Sequence, residues 1–205
     1  MNSMAQQEIS NEPASNAAEL MNRVQQGDMN AYQEIVRLYQ RRVYRVISSY
    51  VRNPDDAMEV LQDTFLKVHT ARHTWDKNCS FSGWIYRIAI NAGIDRYRRS
   101  DRGRSSSLED VMESQLHESA TSRPGGGPMD SIRAGERRRA LEKAVRRLPQ
   151  RQREVVSLRY FGEMQLEEIA TLLDCPLGTV KSNLHKAIMS LKAMLHAQKG
   201  VFDYE

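Results

Sequence analysis

The chain lacks the features that several classes of protein require. Its 205 residues include only two cysteines, Cys79 and Cys175, with no Cys-x-x-Cys pair, which excludes a disulfide framework and a cysteine-rich zinc site. No apolar run approaches the length of a membrane span, and the polar residues 1–16 have no signal-peptide core. The sequence therefore predicts a soluble protein of a reducing compartment, the cytoplasm.

Side-chain clusters able to carry chemistry are also scarce. His69 and His73 have the i, i+4 spacing of metal ligands, but no Glu or Cys nearby completes a ligand set. No nucleophile elbow, glycine-rich phosphate loop or paired-carboxylate setting surrounds the Ser, His and Asp residues. We therefore expect no metal site, no cofactor, no small-molecule substrate and no enzymatic activity.

Positive charge is concentrated in the C-terminal third of the chain. The formal net charge is only +4, yet residues 131–205 hold 14 Lys or Arg against 9 Asp or Glu. A locally basic segment suits contact with phosphates, which supply the sequence-independent part of nucleic-acid affinity. On charge alone, a helical domain with a basic surface and no nucleic-acid partner is an equal alternative.

Hydrophobic spacing is helical almost throughout, with no strand-like alternation and no internal repeat. Asp28 and Asp55 are expected to cap the two long helices of the first half. Between the two helical parts, serines at 105–107 and the Pro-Gly-Gly-Gly-Pro run at 124–128 indicate a flexible linker. The sequence therefore predicts an all-α fold of two small helical domains joined by a flexible linker, the second with a helix-turn-helix.

The expected organisation of the chain has five parts. The linker is distinguished from its neighbours by few large apolar residues and by the acidic residues Glu109, Asp110, Glu113 and Glu118. The parts are a disordered leader at 1–17, a helical domain at 18–100, the flexible acidic linker at 101–131, a second helical domain at 132–196 and a tail at 197–205.

Two amphipathic stripes separated by a short turn lie in the last third of the chain. The first covers residues 166–173 and the second begins at Val180, with Pro176 and Gly178 interrupting the pattern between them. A short helix, a turn and a longer helix with a polar outer face is the arrangement by which a helix-turn-helix enters the major groove. The residues on that outer face are Lys181, Ser182, His185 and Lys186, with Asn183 at its flank.

An acidic stripe follows Asn53-Pro54. Asp55, Glu59 and Asp63 are spaced at i, i+4 and i+8, so they lie on one side of a helix. Like charges at this spacing cost a few tenths of a kcal/mol each. A solvated face is one interpretation of the stripe, and a docking surface for a basic protein partner is the other.

Aromatic and basic residues are mixed in the segment 75–99. Aromatic side chains beside cations can stack on and hold unpaired bases, and the polar loop at 77–80 could form a pocket for an extruded base. Helical spacing places Arg87, Asn91 and Arg98 on one face. The alternative is that Phe81 and Trp84 belong to the hydrophobic core.

Taken in order, these segments resemble the bacterial extracytoplasmic-function (ECF) sigma factors of the envelope-stress type. Residues 55–67 (DDAMEVLQDTFLK) resemble the family's segment that binds the clamp coiled coil of core RNA polymerase. Residues 81–91 (FSGWIYRIAIN) are similar to the segment that melts the promoter and recognises its −10 element. Residues 148–149, 168–170 and 174–182 resemble the −35-recognition domain. The similarity covers roughly residues 18–196.

The resemblance implies a promoter-specificity subunit that is not itself an enzyme. Its expected partners are core RNA polymerase (clamp coiled coil and flap), duplex −35 DNA, single-stranded −10 DNA and an anti-sigma factor, which in this family is often membrane-bound. Two positions depart from the family. Asn183 stands where the family often has Arg, and Cys79 lies in the expected base-capture loop.

The resemblance also assigns candidate site residues. Polymerase contact is expected of Asp55, Asp56, Glu59, Val60, Gln62 and Asp63. Contact with −10 DNA is expected of Asn78, Cys79, Ser80, Phe81, Arg87, Asn91 and Arg98. Contact with −35 DNA is expected of Arg159, Thr179, Lys181, Ser182, Asn183, His185 and Lys186. A polymerase-independent helix-turn-helix regulator is the alternative, and a helical enzyme acting on nucleic acid would need a catalytic set that is not found.

Overall fold

The computed structural model describes residues 12–103 and 128–196, which are helical with short connections and contain no strand. The expected leader up to residue 11, the linker at 104–127 with its four acidic residues, and the tail at 197–205 lie outside the described residues. The helices are α1 (Glu12–Gln25), α2 (Met29–Ser48), α3 (Pro54–Thr70), α4 (Phe81–Gly103), α5 (Pro128–Arg147), α6 (Gln150–Val156), α7 (Leu166–Leu172) and α8 (Leu177–His196). A 3-10 turn (Arg72–Thr74) follows α3, and a π-helical turn (Ser157–Phe161) follows α6.

Three helix boundaries differ from the expected domain limits. Helix α1 begins at Glu12, inside the expected leader, and Ala17 is fully buried, so this part of the leader belongs to the folded domain. Pro13 is compatible with this start, because an N–H in the first helical turn has no intrahelical acceptor. Helix α4 extends to Gly103 and α5 begins at Pro128, so each takes a few residues from the expected linker.

Side-chain caps decide where α2 and α3 begin. The Asp28 carboxylate accepts hydrogen bonds from the backbone N–H groups of Asn30 and Ala31, as predicted. The predicted cap of α3 is wrong, because Asn53 caps this helix and its Oδ1 accepts from the N–H of Asp55 at 2.8 Å. Pro54 occupies the first helical position, which places Asp55 in the first turn, where a carboxylate still favours the helix dipole.

The first domain packs α1 to α4 around one apolar core. Met21, Ile35, Ile47, Val68 and Ile85 contribute side chains that are fully buried there. They lie at the helical spacing seen in the sequence, so the amphipathic stripes of the four helices face one another. Burial of such side chains stabilises the fold by about 1.5–3 kcal/mol each.

The helix-turn-helix consists of α7 and α8. Its turn depends on Asp174, which has a positive φ of 48°, a conformation that Asp tolerates better than most residues. Gly178, predicted to be part of the break, lies instead in the first turn of α8. At the start of α7 the Glu168 carboxylate accepts from the N–H of Gln165 at 2.8 Å, which satisfies one N–H that has no helical acceptor.

The two domains pack directly against each other, a contact that sequence analysis did not predict. The hydrophobic core of α1 to α4 continues into the second domain, where its members are Val155, Leu158, Met164, Ile169 and Val180. A smaller apolar cluster under α5 and α8 contains Val145, Leu148, Val156 and Ala187. The described residues therefore form a closed arrangement in which much of the core is shared between the domains.

Candidate nucleic-acid and protein interfaces

The outer face of α3 is polar and exposed. Asp55, Glu59, Gln62 and Asp63 are all exposed there. Val60, which was predicted to contact a partner, is only 4% exposed. Val60 is buried because it lies on the inner face of α3, which it shares with Ala57, Leu61, Thr64, Phe65 and Val68.

An arginine from the next helix partly neutralises this acidic face. Arg96 of α4 donates to the Asp56 carboxylate and lies 3.1 Å from a Glu59 carboxylate oxygen. The hydrogen bond with Asp56 is the main cause of a raised pKa at Arg96. Asp55 and Asp63 form no ion pair with any described residue. The free acidic charge of the stripe is thus concentrated at its two ends.

Two apolar side chains on the same face were missed by the sequence analysis. Met58 is 51% and Leu66 is 60% exposed, and with Gln62 they form a second stripe at i, i+4 and i+8 beside the acidic one. Their spacing is out of phase with that of the buried stripe, and this is the sequence feature from which their exposure could have been predicted. Exposed apolar groups bordered by charge are typical of a protein docking surface.

The loop before α4 is exposed and internally hydrogen-bonded. Asp76 Oδ1 accepts from both the backbone N–H and the side-chain amide of Asn78, at 2.9 and 3.0 Å. The hydroxyls of Ser80 and Ser82 lie 2.7 Å apart, and Cys79 is exposed between these two pairs. The loop therefore presents Asn78, Cys79 and Ser80 to the surroundings on a defined turn.

Phe81, predicted as a contact to −10 DNA, instead belongs to the core. It is 3% exposed and packs edge-to-face on Tyr39 and Trp75, at centroid distances of 5.2 and 6.0 Å. Trp84 is half-buried beside it, at 6.0 Å. Edge-to-face packing of this kind stabilises an aromatic cluster beyond simple burial. The alternative that placed Phe81 in the core is confirmed.

The face of α4 that carries Arg87 and Asn91 is turned towards the second domain. Arg87 Nη2 donates to the carbonyl oxygen of Leu172, the last residue of α7, at 3.2 Å. Arg87 and Asn91 line a cleft of about 600 Å³ between the domains. Its other lining residues are Ile90, Ile94, Gln150, Arg151, Glu154, Thr171, Leu172, Leu173 and Asp174. Arg98, one turn from the end of the described part of α4, is exposed outside this cleft.

Polar contacts join the two domains around the shared core. The Tyr86 hydroxyl donates to the Gly162 carbonyl oxygen at 3.0 Å. The Ser49 and Ser157 hydroxyls lie 2.8 Å apart in the buried interface. At its edge, Arg42 and Glu163 form an ion pair of 2.7 Å. Burial raises the pKa of Tyr86 well above its usual range, so its hydroxyl is held in the neutral, donating form.

The recognition helix α8 presents most of its predicted side chains to solvent. Thr179, Lys181, Ser182, His185 and Lys186 are exposed. Two other residues predicted to contact −35 DNA, Asn183 and Arg159, form hydrogen bonds within the protein. Asn183 Nδ2 donates to the Thr179 carbonyl oxygen of its own helix at 2.9 Å. Arg159 Nη1 donates to the Met164 carbonyl oxygen at 2.9 Å and lies 3.2 Å from Gln165 Oε1, so it braces the segment before α7.

Other classes of site find no support in the described residues. Within 12–103 and 128–196 no three His, Cys, Asp or Glu residues are grouped so that they could hold a metal ion. His69 instead packs edge-to-face on Tyr32 at 5.1 Å. No helix in these ranges is both long and apolar enough to cross a membrane.

Similarity to known proteins covers both domains. Residues 35–103 match Sigma-70 region 2, and residues 138–191 match Sigma-70 region 4. The ECF RNA polymerase sigma factor SigW of Bacillus subtilis (strain 168) is 30% identical over 173 residues, which are 84% of this chain and 92% of SigW. The chain belongs to the ECF RNA polymerase sigma factors. The ECF RNA polymerase sigma-E factor of Escherichia coli (strain K12) is 32% identical over 169 residues, 82% of this chain and 88% of that protein.

A solved structure supports the fold of the sigma factor. In the complex of the sigma factor RpoE with the anti-sigma factor NepR from Bartonella quintana, the similar chain is 20% identical with a TM-score of 0.63, covering 80% of this chain and 96% of that one. Membership of the family gives the function: the protein binds core RNA polymerase and directs it to promoter DNA. It regulates transcription as a specificity subunit.

Proposed function

We propose that the closed arrangement is the resting form of this sigma factor and that its domains must separate before it can direct polymerase to a promoter. The contact between Arg87 and the Leu172 carbonyl oxygen, 3.2 Å long, is the observation that carries this proposal. It places the expected −10 surface against the end of the first helix of the helix-turn-helix. Promoter elements one to two helical turns apart lie roughly 35–70 Å from each other. A molecule in which the −10 surface is packed against the domain that carries α8 cannot place the two domains this far apart.

The outer face of α3 is the proposed polymerase-binding surface. It combines acidic groups at Asp55, Glu59 and Asp63 with the exposed apolar side chains of Met58 and Leu66. Acidic groups steer a basic partner into place, and desolvated apolar groups supply most of the affinity. Because this face lies outside the cleft between the domains, polymerase can engage it before the domains separate.

The loop before α4 and the exposed face of α4 form the proposed −10 surface. Asn78, Cys79 and Ser80 are the residues presented to an extruded base, and Arg87, Asn91 and Arg98 are those available to the strand. Arg87 and Asn91 are exposed but line the cleft in the closed form, where the second domain lies in the path of the strand. Closure therefore obstructs the part of the −10 surface formed by Arg87 and Asn91, while the loop at 78–80 stays exposed.

Helix α8 is the proposed −35-recognition element. Thr179, Lys181, Ser182, His185 and Lys186 are exposed in the closed form, so duplex binding does not depend on opening. Asn183 and Arg159 act within the domain, since each donates to a backbone carbonyl oxygen. Lys181 and Lys186 supply phosphate affinity, while the smaller polar groups contact base edges.

An anti-sigma factor that binds the closed form would keep this protein inactive. The similar RpoE structure was determined with its anti-sigma factor NepR, and the related proteins include sigma-E factors. We place the protein in the cytoplasm, where polymerase and promoter DNA are found, with envelope stress as the signal that frees it. Polymerase binding then supplies the free energy that separates the domains.

The experiment that tests this function is size-exclusion co-elution with bacterial core RNA polymerase at moderate salt, without DNA. A one-to-one complex that transcribes promoters selected from a random library supports the proposal. The same chain without polymerase should bind −35 duplexes weakly and start no transcript. If it fails to co-elute while folded and binds duplex DNA tightly alone, it acts as a polymerase-independent regulator and the proposal is wrong.

A further inference from the structure

One arginine of α4 is placed within the acidic face of α3. Arg96 donates to the Asp56 carboxylate and lies 3.1 Å from a carboxylate oxygen of Glu59. Helical spacing puts it nine residues after Arg87, on the opposite side of α4 from that residue of the −10 surface. Arg96 therefore contacts the proposed polymerase-binding surface, and the proposed function gives it no role there.

The two ion pairs of Arg96 are accessible to water. The side chains of Arg96 and Asp56 are partly exposed, and that of Glu59 is exposed. Exposed ion pairs contribute little to the stability of a fold. Here α3 and α4 are also joined by apolar packing, since Phe65 and Ile85 belong to one core. A basic group of another molecule could thus replace Arg96 at these carboxylates without disrupting the domain.

Arg96 also acts on the carboxylates that it does not contact. Its pKa is raised chiefly by the hydrogen bond with Asp56, and the charges of Asp56, Glu59 and Asp63 raise it further. The guanidinium therefore stays charged within the field of three carboxylates. Its positive charge repels an approaching Lys or Arg, and its hydrogen bonds occupy oxygen atoms that such a group would use.

We propose that Arg96 is a positioning residue that limits the affinity of this sigma factor for core polymerase. The inference rests on the proposed polymerase-binding surface. Arg96 acts through Asp56 and Glu59, which it holds in ion pairs in the free chain. Polymerase must exchange these pairs for pairs with its own basic groups. Binding is therefore weaker than the number of acidic side chains on α3 would give, and a given concentration of the chain captures less polymerase.

Competition for core polymerase against labelled wild-type protein, measured with the full chain at low and physiological salt, tests the proposal. Arg96→Gln removes the charge, Arg96→Met removes it but keeps most of the aliphatic stem, and Arg96→Lys keeps the charge. The matched control is Arg99→Gln on the same helix. Arg99 is exposed, and its Nε donates to the Asp95 carbonyl oxygen at 3.3 Å. Thermal unfolding followed by circular dichroism gives the stability of each variant.

Both neutral variants at position 96 should bind polymerase about threefold more tightly than the wild type at low salt. Their affinity should also fall more steeply with salt, because two more carboxylates are free to attract the partner. Arg96→Lys and Arg99→Gln should stay close to the wild type. Equal or weaker binding by the neutral variants would overturn the proposal. A marked loss of thermal stability in both would also overturn it, since the ion pairs would then be structural.

Failure of this inference can be distinguished from failure of the proposed function. Wild-type protein that does not bind core polymerase would contradict the proposed function itself. If the wild type binds, the charge reversal Asp55→Lys plus Asp63→Lys shows whether the α3 face takes part. Weaker binding by that variant, together with unchanged binding by Arg96→Gln, would contradict only the role of Arg96.

Discussion

The Tyr86 hydroxyl donates a 3.0 Å hydrogen bond to the Gly162 carbonyl oxygen, and this bond crosses the boundary between the two domains. Tyr86 is fully buried in α4, one residue before Arg87 of the proposed −10 surface. Gly162 follows the π-helical turn, and a Cβ at this position would lie 3.2 Å from the Tyr86 ring. The backbone therefore approaches the ring closely, and this pair stabilises the closed arrangement together with the shared core.

Replacement of Tyr86 by Phe removes the hydroxyl and keeps the ring. The Gly162 carbonyl oxygen then loses its buried donor, which costs about 1 kcal/mol of closed-state stability. The ratio of open to closed molecules should rise roughly fivefold. Energy transfer between dyes on the two domains measures this shift. Tyr160→Phe is the matched control, since Tyr160 is 55% exposed, and an equal effect there would contradict the account.

Reversal of charge at both ends of the α3 face should weaken polymerase binding. We expect Asp55→Lys plus Asp63→Lys to lower affinity for core polymerase at least tenfold, because attraction to a basic partner becomes repulsion. Competition for core polymerase against labelled wild-type protein measures the affinity. Glu19→Lys plus Glu34→Lys makes the same change in net charge at exposed positions on α1 and α2. Unchanged polymerase binding by the α3 variant would show that this face is not part of the polymerase interface.

Two lysines of α8 should account for part of the salt dependence of −35 binding. Loss of both phosphate contacts in Lys181→Ala plus Lys186→Ala should lower affinity for all duplexes and reduce the slope of log K against log salt by about 2. Fluorescence anisotropy of a −35 duplex over a salt series gives this slope. Lys192→Ala lies on the same helix, farther from its N-terminus, and should leave the slope intact. If the wild type and both variants had the same slope, the DNA would not contact Lys181 and Lys186.

Alkaline pH should open and unfold the protein through its buried tyrosines. Burial raises the pKa of Tyr39 to about 12, and it raises the pKa of Tyr50 and Tyr86 in the same direction. The unfolded chain ionises tyrosine near pH 10. Stability is therefore complete below that pH and falls as pH rises towards about 12. Tyrosinate absorbance and circular dichroism should show these residues ionising together with loss of helix, and ionisation without unfolding would contradict their burial.

Much of the fold follows from local patterns in the sequence. The helical stripes of the first half, the cap at Asp28 and the helix-turn-helix depend on residues close together in the chain. The cap of α3 was predicted wrongly at Asp55, because Asn53 and Asp55 both have side chains that can cap. Only the position of Pro54 at the first helical residue decides between them.

The packing of the two domains could not be predicted in the same way. Tyr86, Leu158 and Ile169 lie on apolar stripes that a domain could bury within its own core, so their spacing does not reveal a shared one. The same limit of helical spacing explains why Val60 and Phe81 were predicted to contact partners although both are buried. Both belong to segments with functional motifs, yet each side chain faces inward. Exposure depends on the neighbouring helices, which periodicity within one helix does not describe.

The most direct test of the closed resting form is the distance between the two domains, measured by energy transfer between dyes on Met29→Cys and Met189→Cys. The account predicts high transfer in the free chain and a large decrease when core polymerase and promoter DNA are added. The decrease reflects recognition surfaces that must lie roughly 35–70 Å apart on the promoter. Low transfer in the free chain, or no change on assembly of the complex, would contradict the central claim that closure keeps this sigma factor inactive.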